Sequence, residues 1–152
     1  MNFFNTVSGK KELFKPNGKN VGLYICGPTV YSDTHLGHAK SYVSFDVMKR
    51  WLEYRGYEVT HIQNFTDVSD ETALGASKEG IDELEFTKKY EDEFLDKMKL
   101  LSNTSATKYT RASEFVQQIA EETKKLLDAG EAYQTEAVSY THLRAHETLR
   151  YL

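Results

Sequence analysis

Three short clusters hold the side chains best suited to chemistry. Cys26-Gly27-Pro28-Thr29-Val30-Tyr31 carries the only thiol of the chain, His35-Leu36-Gly37-His38 sets two imidazoles around a glycine, and Asn64-Phe65-Thr66-Asp67 gathers an amide, a hydroxyl and a carboxylate. Two imidazoles at the entry of a helix suit a phosphate. The helix start offers backbone N–H groups and the positive end of its dipole. Ring N–H groups can stabilise charge that develops as pyrophosphate leaves. Gly37, with no side chain, lets a nucleotide come close to the backbone. Taken alone, a His-x-Gly-His string more often marks capping and packing histidines, so the clusters gain meaning only if the fold brings them together.

The periodicity of the flanking residues predicts that it does. Val21-Gly22-Leu23-Tyr24-Ile25-Cys26 is a continuous apolar run, expected as a strand buried on both faces. From about Leu36 to Tyr54 the period becomes helical, with Tyr42, Phe45, Met48 and Leu52 on one face, and Gly56 is placed to stop the helix. Glu58 to Phe65 reads as a second strand. Strand, helix and strand in this order predict two parallel strands with a crossover helix, and ligands of such sheets bind at the carboxyl ends of the strands. All three clusters fall on that edge.

Outside this unit, Phe3 to Phe14 predicts a short hairpin around Ser8-Gly9-Lys10. Phe86, Tyr90, Phe94, Met98 and Leu101 form one stripe of a helix starting near Asp82. Val116, Ile119, Thr123 and Leu126 form another, in a helix expected to follow an N-cap at Ser113 and to end at Gly130. Ala132-Tyr133-Gln134-Thr135 has the look of a further strand. Val138 to Thr148 (Val-Ser-Tyr-Thr-His-Leu-Arg-Ala-His-Glu-Thr) resembles the translation of a transposon-end sequencing adapter. Residues 137–152 are therefore read as a non-native tail, and His142 and His146, although four apart, are not read as metal ligands.

Composition narrows the class of function. The chain has 152 residues, 39% hydrophobic and 28% charged, enough for a domain with a core. One cysteine excludes an internal disulfide and cannot by itself complete a structural zinc site, which takes about four ligands. Met1-Asn2-Phe3-Phe4 shows no charged lead before an apolar run, and no stretch approaches the length of a membrane span, so a cytoplasmic protein with no membrane partner is expected. A net charge of -4 argues against a module built only to grip phosphate backbones, DNA included.

His35-Leu36-Gly37-His38 resembles the HIGH signature of class I aminoacyl-tRNA synthetases, and Tyr24-Ile25-Cys26-Gly27-Pro28-Thr29-Val30-Tyr31 resembles the pattern of the cysteine-specific branch. So do Asn5-Thr6, Phe14-Lys15-Pro16, Phe45-Asp46, Tyr54-Arg55-Gly56-Tyr57, Asn64-Phe65-Thr66-Asp67 and Tyr109-Thr110-Arg111-Ala112-Ser113, in order, from Asn5 to about Tyr133. The resemblance implies an α/β, Rossmann-type (HUP-like) parallel sheet with a HIGH-motif helix and a mainly helical insertion. Residues 1–136 would be the N-terminal part of the catalytic domain. It implies a ligase that activates cysteine with ATP, with Mg2+, and transfers it to tRNA(Cys). His35 and His38 would be catalytic and, with Leu36 and Gly37, would bind ATP. Gly27, Thr29 and Thr66 would meet cysteine, Asn64 and Asp67 would support the loops, and Cys26 would be one ligand of an active-site zinc.

Such a zinc would favour a thiolate over a serine hydroxyl, where size alone discriminates poorly. The sequence departs from the family at Glu71, where lysine is usual, and at Lys40. The other zinc ligands, a KMSKS loop and an anticodon-binding region do not occur in the 152 residues, so this polypeptide alone is expected to be inactive. Two other readings stay open. One is a paralogous ligase joining cysteine to an amino sugar in mycothiol synthesis. The other is a non-catalytic, nucleotide-binding module.

Overall fold

The computed structural model describes residues 1–103, 106–134 and, as backbone, 139–141. The chain divides into two compact units, Pro16–Phe115 and a second made of Met1–Lys15 with Val116–Leu152.

The unit Pro16–Phe115 contains the strand-helix-strand element. β3 (Asn20–Ile25), α1 (Leu36–Tyr54) and β4 (Glu58–Phe65) follow in order, and β3 pairs with β4 in parallel, Asn20 opposite Glu58 and Ile25 opposite Gln63. A third strand, β5 (Lys108–Arg111), joins the other side of β4, also in parallel, with Phe65 opposite Arg111. The order is thus β3-β4-β5. The sequence offered no distinct apolar run for β5. Its four residues, Lys-Tyr-Thr-Arg, are polar but for Tyr109, which stacks on Phe65 at 5.3 Å.

The expectation that β3 is buried on both faces is corrected. Val21 and Ile25 are buried, whereas Tyr24 is 66% exposed. Within this sheet β3 is an edge strand with an alternating pattern, as expected when one face alone meets a core. The α1 stripe is also rotated from its predicted position. Tyr42 and Leu52 are buried with Asp46 between them, and Phe45 is 37% exposed. Asp46 is tolerated there because its Oδ2 accepts a hydrogen bond from Arg50 Nε at 2.7 Å, and the Arg50 guanidinium also donates to the Ser102 carbonyl at 2.8 Å. α1 ends at Gly56, whose φ of +87° is a left-handed conformation that glycine adopts without strain.

Two further helices complete this unit. α2 (Asp70–Glu79) starts on a Ser69–Thr72 capping box. This gives Glu71 a local explanation. It sits in the first turn with Asp70, where negative charge complements the helix dipole, and hydrogen bonds from its own backbone amide and the Ser69 hydroxyl hold its carboxyl below the usual range. α3 (Glu83–Leu100) is capped by Asp82, as its position near the start of the stripe predicts. Phe86, Phe94 and Met98 are buried along it, but Leu101 is 48% exposed. The core joins β3, α1, β4 and α3 through Ile25, Val30, Tyr42, Phe65, Phe94 and Met98. Phe94 is its hub, edge-on to both Tyr42 at 5.1 Å and Phe65 at 5.5 Å.

Ser113 is not the N-cap predicted for the last helix. It lies in a 3-10 turn, Ala112–Phe115, and both its N–H and its hydroxyl bond Asp67. The turn hands the chain directly to α4 (Val116–Asp128), so no separate cap is needed.

In the other unit, β1 (Asn2–Asn5) and β2 (Lys10–Leu13) form the expected hairpin, antiparallel with Asn5 opposite Lys10. Its turn is Thr6–Gly9, so Thr6 and Val7 belong to the turn rather than to a strand. Phe3 and Phe14 meet edge-on at 5.2 Å. The predicted stripe of α4 is present as a pattern but not buried: Val116 and Ile119 are both more than half exposed. β6 (Ala132–Gln134) pairs antiparallel with β7 (Ser139–Thr141), and β7 falls within the segment read as a non-native tail. The rest of that segment, with His142 and His146, lies outside the described residues.

Candidate functional site

The parallel pairing of β3 with β4 brings the three clusters to one sheet edge. Beyond the last ladder rung, the chain continues as a parallel bridge between Thr29 and Thr66. Thr66 N–H donates to the Pro28 carbonyl at 3.0 Å, and Val30 N–H donates to the Thr66 carbonyl at 3.2 Å. The two predicted substrate threonines therefore face each other across adjacent strand ends.

Gly27 and Asn64 form the floor of this edge. Asn64 Oδ1 accepts from Gly27 N–H and from the Tyr24 hydroxyl, each at 2.9 Å, and its amide nitrogen donates to Thr66 Oγ1 at 3.3 Å. One side chain thus ties the thiol loop to the end of β4. Asp67 is buried. It accepts from Ser113 N–H at 2.9 Å and from the Ser113 hydroxyl at 2.5 Å, which anchors the end of β4 to the turn after β5. Beside it, Arg111 makes a two-point ion pair with the buried Glu91 of α3, through Nε at 2.8 Å and a terminal nitrogen at 2.5 Å. Hydrogen bonding to Glu91 holds the guanidinium firmly protonated.

Cys26 is exposed, and the Tyr42 hydroxyl donates to its carbonyl at 3.3 Å. Burial pushes the Tyr42 phenol up, with Cys26 and Tyr109 adding to the shift, so it remains a donor at neutral pH. Among the described residues no group of three His, Cys, Asp or Glu side chains is placed to hold a metal ion. These residues supply one accessible thiol and do not by themselves build a zinc site.

The two histidines are stacked, ring centroids 3.9 Å apart and 19° between planes, and together they cap α1. His35 Nδ1 accepts from Gly37 N–H at 3.0 Å, and His38 Nδ1 accepts from His35 N–H at 3.4 Å. This corrects the picture of a helix start with open amides: the Gly37 N–H is already engaged by His35. An acceptor at Nδ1 puts the proton of a neutral imidazole on Nε2, so each ring keeps one N–H donor. Burial and the neighbouring His35 push the His38 imidazole down, against an opposing influence from Glu93. Gly37 is the residue that the stack demands. A Cβ there would lie 2.8 Å from the His35 ring.

Sequence reasoning missed Glu93. Its Oε2 accepts from both Thr34 N–H, at 3.0 Å, and Thr34 Oγ1, at 2.6 Å, immediately before the two-histidine cap. On a helix as charged as α3, one glutamate among many reads as part of a solvated face, and nothing in its spacing marks it. Tyr24 belonged to a motif without a role of its own, and Ser113 was expected only as a helix N-cap. Their hydrogen bonds to Asn64 and Asp67 appear only once the strands are paired.

Solved structures share this fold. Mycobacterium tuberculosis methionyl-tRNA synthetase, in complex with methionyl-adenylate, matches with a TM-score of 0.66 and 19% identity, over 74% of this chain and 23% of that one. The ternary complex Agrobacterium radiobacter K84 agnB2 LeuRS-tRNA-LeuAMS matches with a TM-score of 0.62 and 22% identity, over 73% and 15%. At these identities the likeness establishes a fold, the Rossmann-type sheet of class I aminoacyl-tRNA synthetases. The family model of class I (C) tRNA synthetase catalytic domains matches residues 13–150, and the chain belongs to that family. It is 45% identical to the cysteine–tRNA ligase of Chlamydia pneumoniae over 131 residues, 86% of this chain and 28% of that protein. It is 42% identical to that of Thermococcus onnurineus (strain NA1) over 142 residues, 93% and 30%. The chain thus spans less than a third of the length of these two relatives. No helix among the described residues is long and apolar enough to cross a membrane.

Proposed function

We propose that these residues serve an ATP-dependent cysteine–tRNA ligase. The observation that carries the reading is the stacked His35–His38 cap, set at the carboxyl ends of parallel strands in a chain of this family. In the reaction a carboxylate oxygen of cysteine attacks the α-phosphorus of ATP, with Mg2+ alongside. Pyrophosphate leaves and cysteinyl-adenylate forms. A terminal ribose hydroxyl of tRNA(Cys) then attacks the cysteinyl carbonyl and AMP leaves.

His35 and His38 stabilise charge on the phosphates through their Nε2–H donors and do not abstract a proton, so the contribution is electrostatic and positional. Leu36 and Gly37 lie against the nucleotide. Gly27, Thr29 and Thr66 line the amino-acid end, and Asn64 and Asp67 hold the loops through the hydrogen bonds described above. Cys26 would supply one thiolate ligand to a zinc, which would favour the thiolate of cysteine over the hydroxyl of serine; among the described residues no group of three His, Cys, Asp or Glu side chains is placed to complete that site.

The test is a graft. The 152-residue chain alone should show no cysteine-dependent exchange of pyrophosphate into ATP. Residues 1–134, put in place of the matching part of the Chlamydia pneumoniae enzyme, should restore exchange that prefers cysteine to serine and should charge tRNA(Cys). A folded, zinc-loaded graft without cysteine-dependent exchange would refute the reading. Exchange with cysteine passing to an amino sugar and not to tRNA would favour the mycothiol-type ligase.

Residues 137–152 are proposed to derive from a sequencing adapter, on the resemblance of Val138 to Thr148. The family match reaches residue 150 and so crosses this segment. Amplifying source DNA outward from the codons for Phe115 to Ala132 decides the point, since the natural gene should diverge from this tail after about residue 136.

A further inference from the structure

Glu93 lies 59 residues from Thr34 in sequence, yet it holds this last residue before the cap. One carboxylate oxygen takes both the N–H and the hydroxyl of Thr34, while Lys97 Nζ lies 3.9 Å from the other oxygen. The side chain is only a quarter exposed, and α3 is fixed against α1 by Phe94 packed on Tyr42. Thr34 is followed directly by His35, so the entry to α1 is set from α3 and not by its own loop alone.

We propose that Glu93 is the positioning residue of the two-histidine site: it holds Thr34, and with it the stacked His35–His38 pair, in the geometry that presents two imidazole donors to the phosphates of a nucleotide. The inference rests on the ATP reading above for the identity of the ligand. The positioning itself is a property of the chain. A carboxylate close to a phosphate site would repel the ligand if it were free. Here its charge is engaged by two donors of Thr34 and faced by Lys97, so it acts through the backbone of the entry loop. The groups that bear on His38 are His35 on the same helix start, Glu93 on α3 and the Tyr42 ring one turn on, 6.4 Å away. The carboxylate favours the imidazolium, and burial and His35 oppose it.

Two substitutions separate geometry from charge. Glu93→Gln keeps an acceptor for Thr34 and loses the charge; Glu93→Ala loses both. In the 152-residue chain, amide exchange at Thr34 should accelerate about tenfold in Glu93→Ala, as expected for loss of a hydrogen bond to a charged group, and stay near wild type in Glu93→Gln. The His38 imidazole, followed by NMR titration, should titrate lower in both. In the graft, Glu93→Ala should raise the KM for ATP about tenfold, with a smaller change in kcat. Unchanged Thr34 exchange and an unchanged His38 titration in a folded Glu93→Ala chain would overturn the proposal. If that variant does not fold, an unchanged His38 titration in Glu93→Gln does the same. Should the unsubstituted graft fail to use ATP, the function proposed above fails, while the two NMR readouts still decide whether Glu93 positions the pair.

Discussion

A Cβ placed on Gly27 would lie 1.4 Å from the backbone carbonyl oxygen of Asn64. That oxygen belongs to a paired strand and has no side-chain freedom with which to retreat. Gly27→Ala must therefore move the thiol loop away from β4 and break the Gly27 N–H to Asn64 Oδ1 bond with it. The expected cost is about 3 kcal/mol or failure to fold, read as a lower urea midpoint. Gly22→Ala, on β3 just before this loop and with no atom within 4 Å of the added carbon, is the control and should change stability far less. Equal effects from the two substitutions would show that the close approach is not what requires glycine.

The His38 imidazole carries a pH dependence whose sign is fixed by the direction of its shift. Burial and His35 lower its pKa in the folded chain, so the unfolded chain binds the proton more readily. The associated stability is complete above the ordinary imidazole value of about 6.5. It is lost as pH falls from there through the lower folded value, when His38 must charge and its Nδ1 can no longer accept from His35 N–H. Comparing unfolding midpoints of wild type and His38→Gln across this range should show a difference that shrinks toward acid pH. A His38 resonance titrating above 6.5 would reverse the sign and remove the argument.

Cys26 offers a prediction of little effect. It is exposed, and among the described residues its thiol makes one weak hydrogen bond, to the Gly27 carbonyl at 3.9 Å. Cys26→Ser should leave stability within about 0.5 kcal/mol of wild type. A disulfide exchange reagent should titrate one thiol per chain without denaturant. A thiol that reacts only after unfolding would show that the loop covers it in solution.

The parallel β3–α1–β4 unit and the convergence of the three clusters were legible because hydrophobic periodicity and strand topology act over short stretches of chain. Contacts set by pairing at a distance were not. β5 has four mostly polar residues and becomes a strand only because β4 offers a free edge, with Tyr109 stacking on Phe65. Asp46 looks like a surface residue until Arg50 and the Ser102 carbonyl are seen around it. Ser113 reads as an N-cap by type and position, but the carboxylate of Asp67, 46 residues earlier, claims both its donors. His35 and His38 were read for phosphate with capping as the alternative, and the hydrogen bonds of both rings to backbone amides show that they do cap their own helix. The stacking of the two rings is what spacing alone does not reveal.

The Arg111–Glu91 pair makes the last prediction, because its two partners are unequally buried. The Glu91 side chain is 4% exposed and that of Arg111 34%. Removing the cation leaves a buried carboxylate with only the long ion pair to the exposed Lys88, 4.0 Å away, whereas removing the anion leaves a guanidinium that can still reach water and Glu114, 3.3 Å away. Arg111→Met should therefore cost more than Glu91→Met. About 2–4 kcal/mol is expected for Arg111→Met, below the full penalty of a buried unpaired charge because water reaches part of the site. The double substitution should regain much of that loss, since two apolar side chains leave no charge to desolvate. Because the pair joins α3 to the end of β5, next to the Asp67–Ser113 contact, Arg111→Met should also speed exchange of the Ser113 amide. Unfolding curves for the two single variants and the double give the coupling directly. Additive effects would mean that the pair is held by the surrounding packing and contributes no interaction of its own.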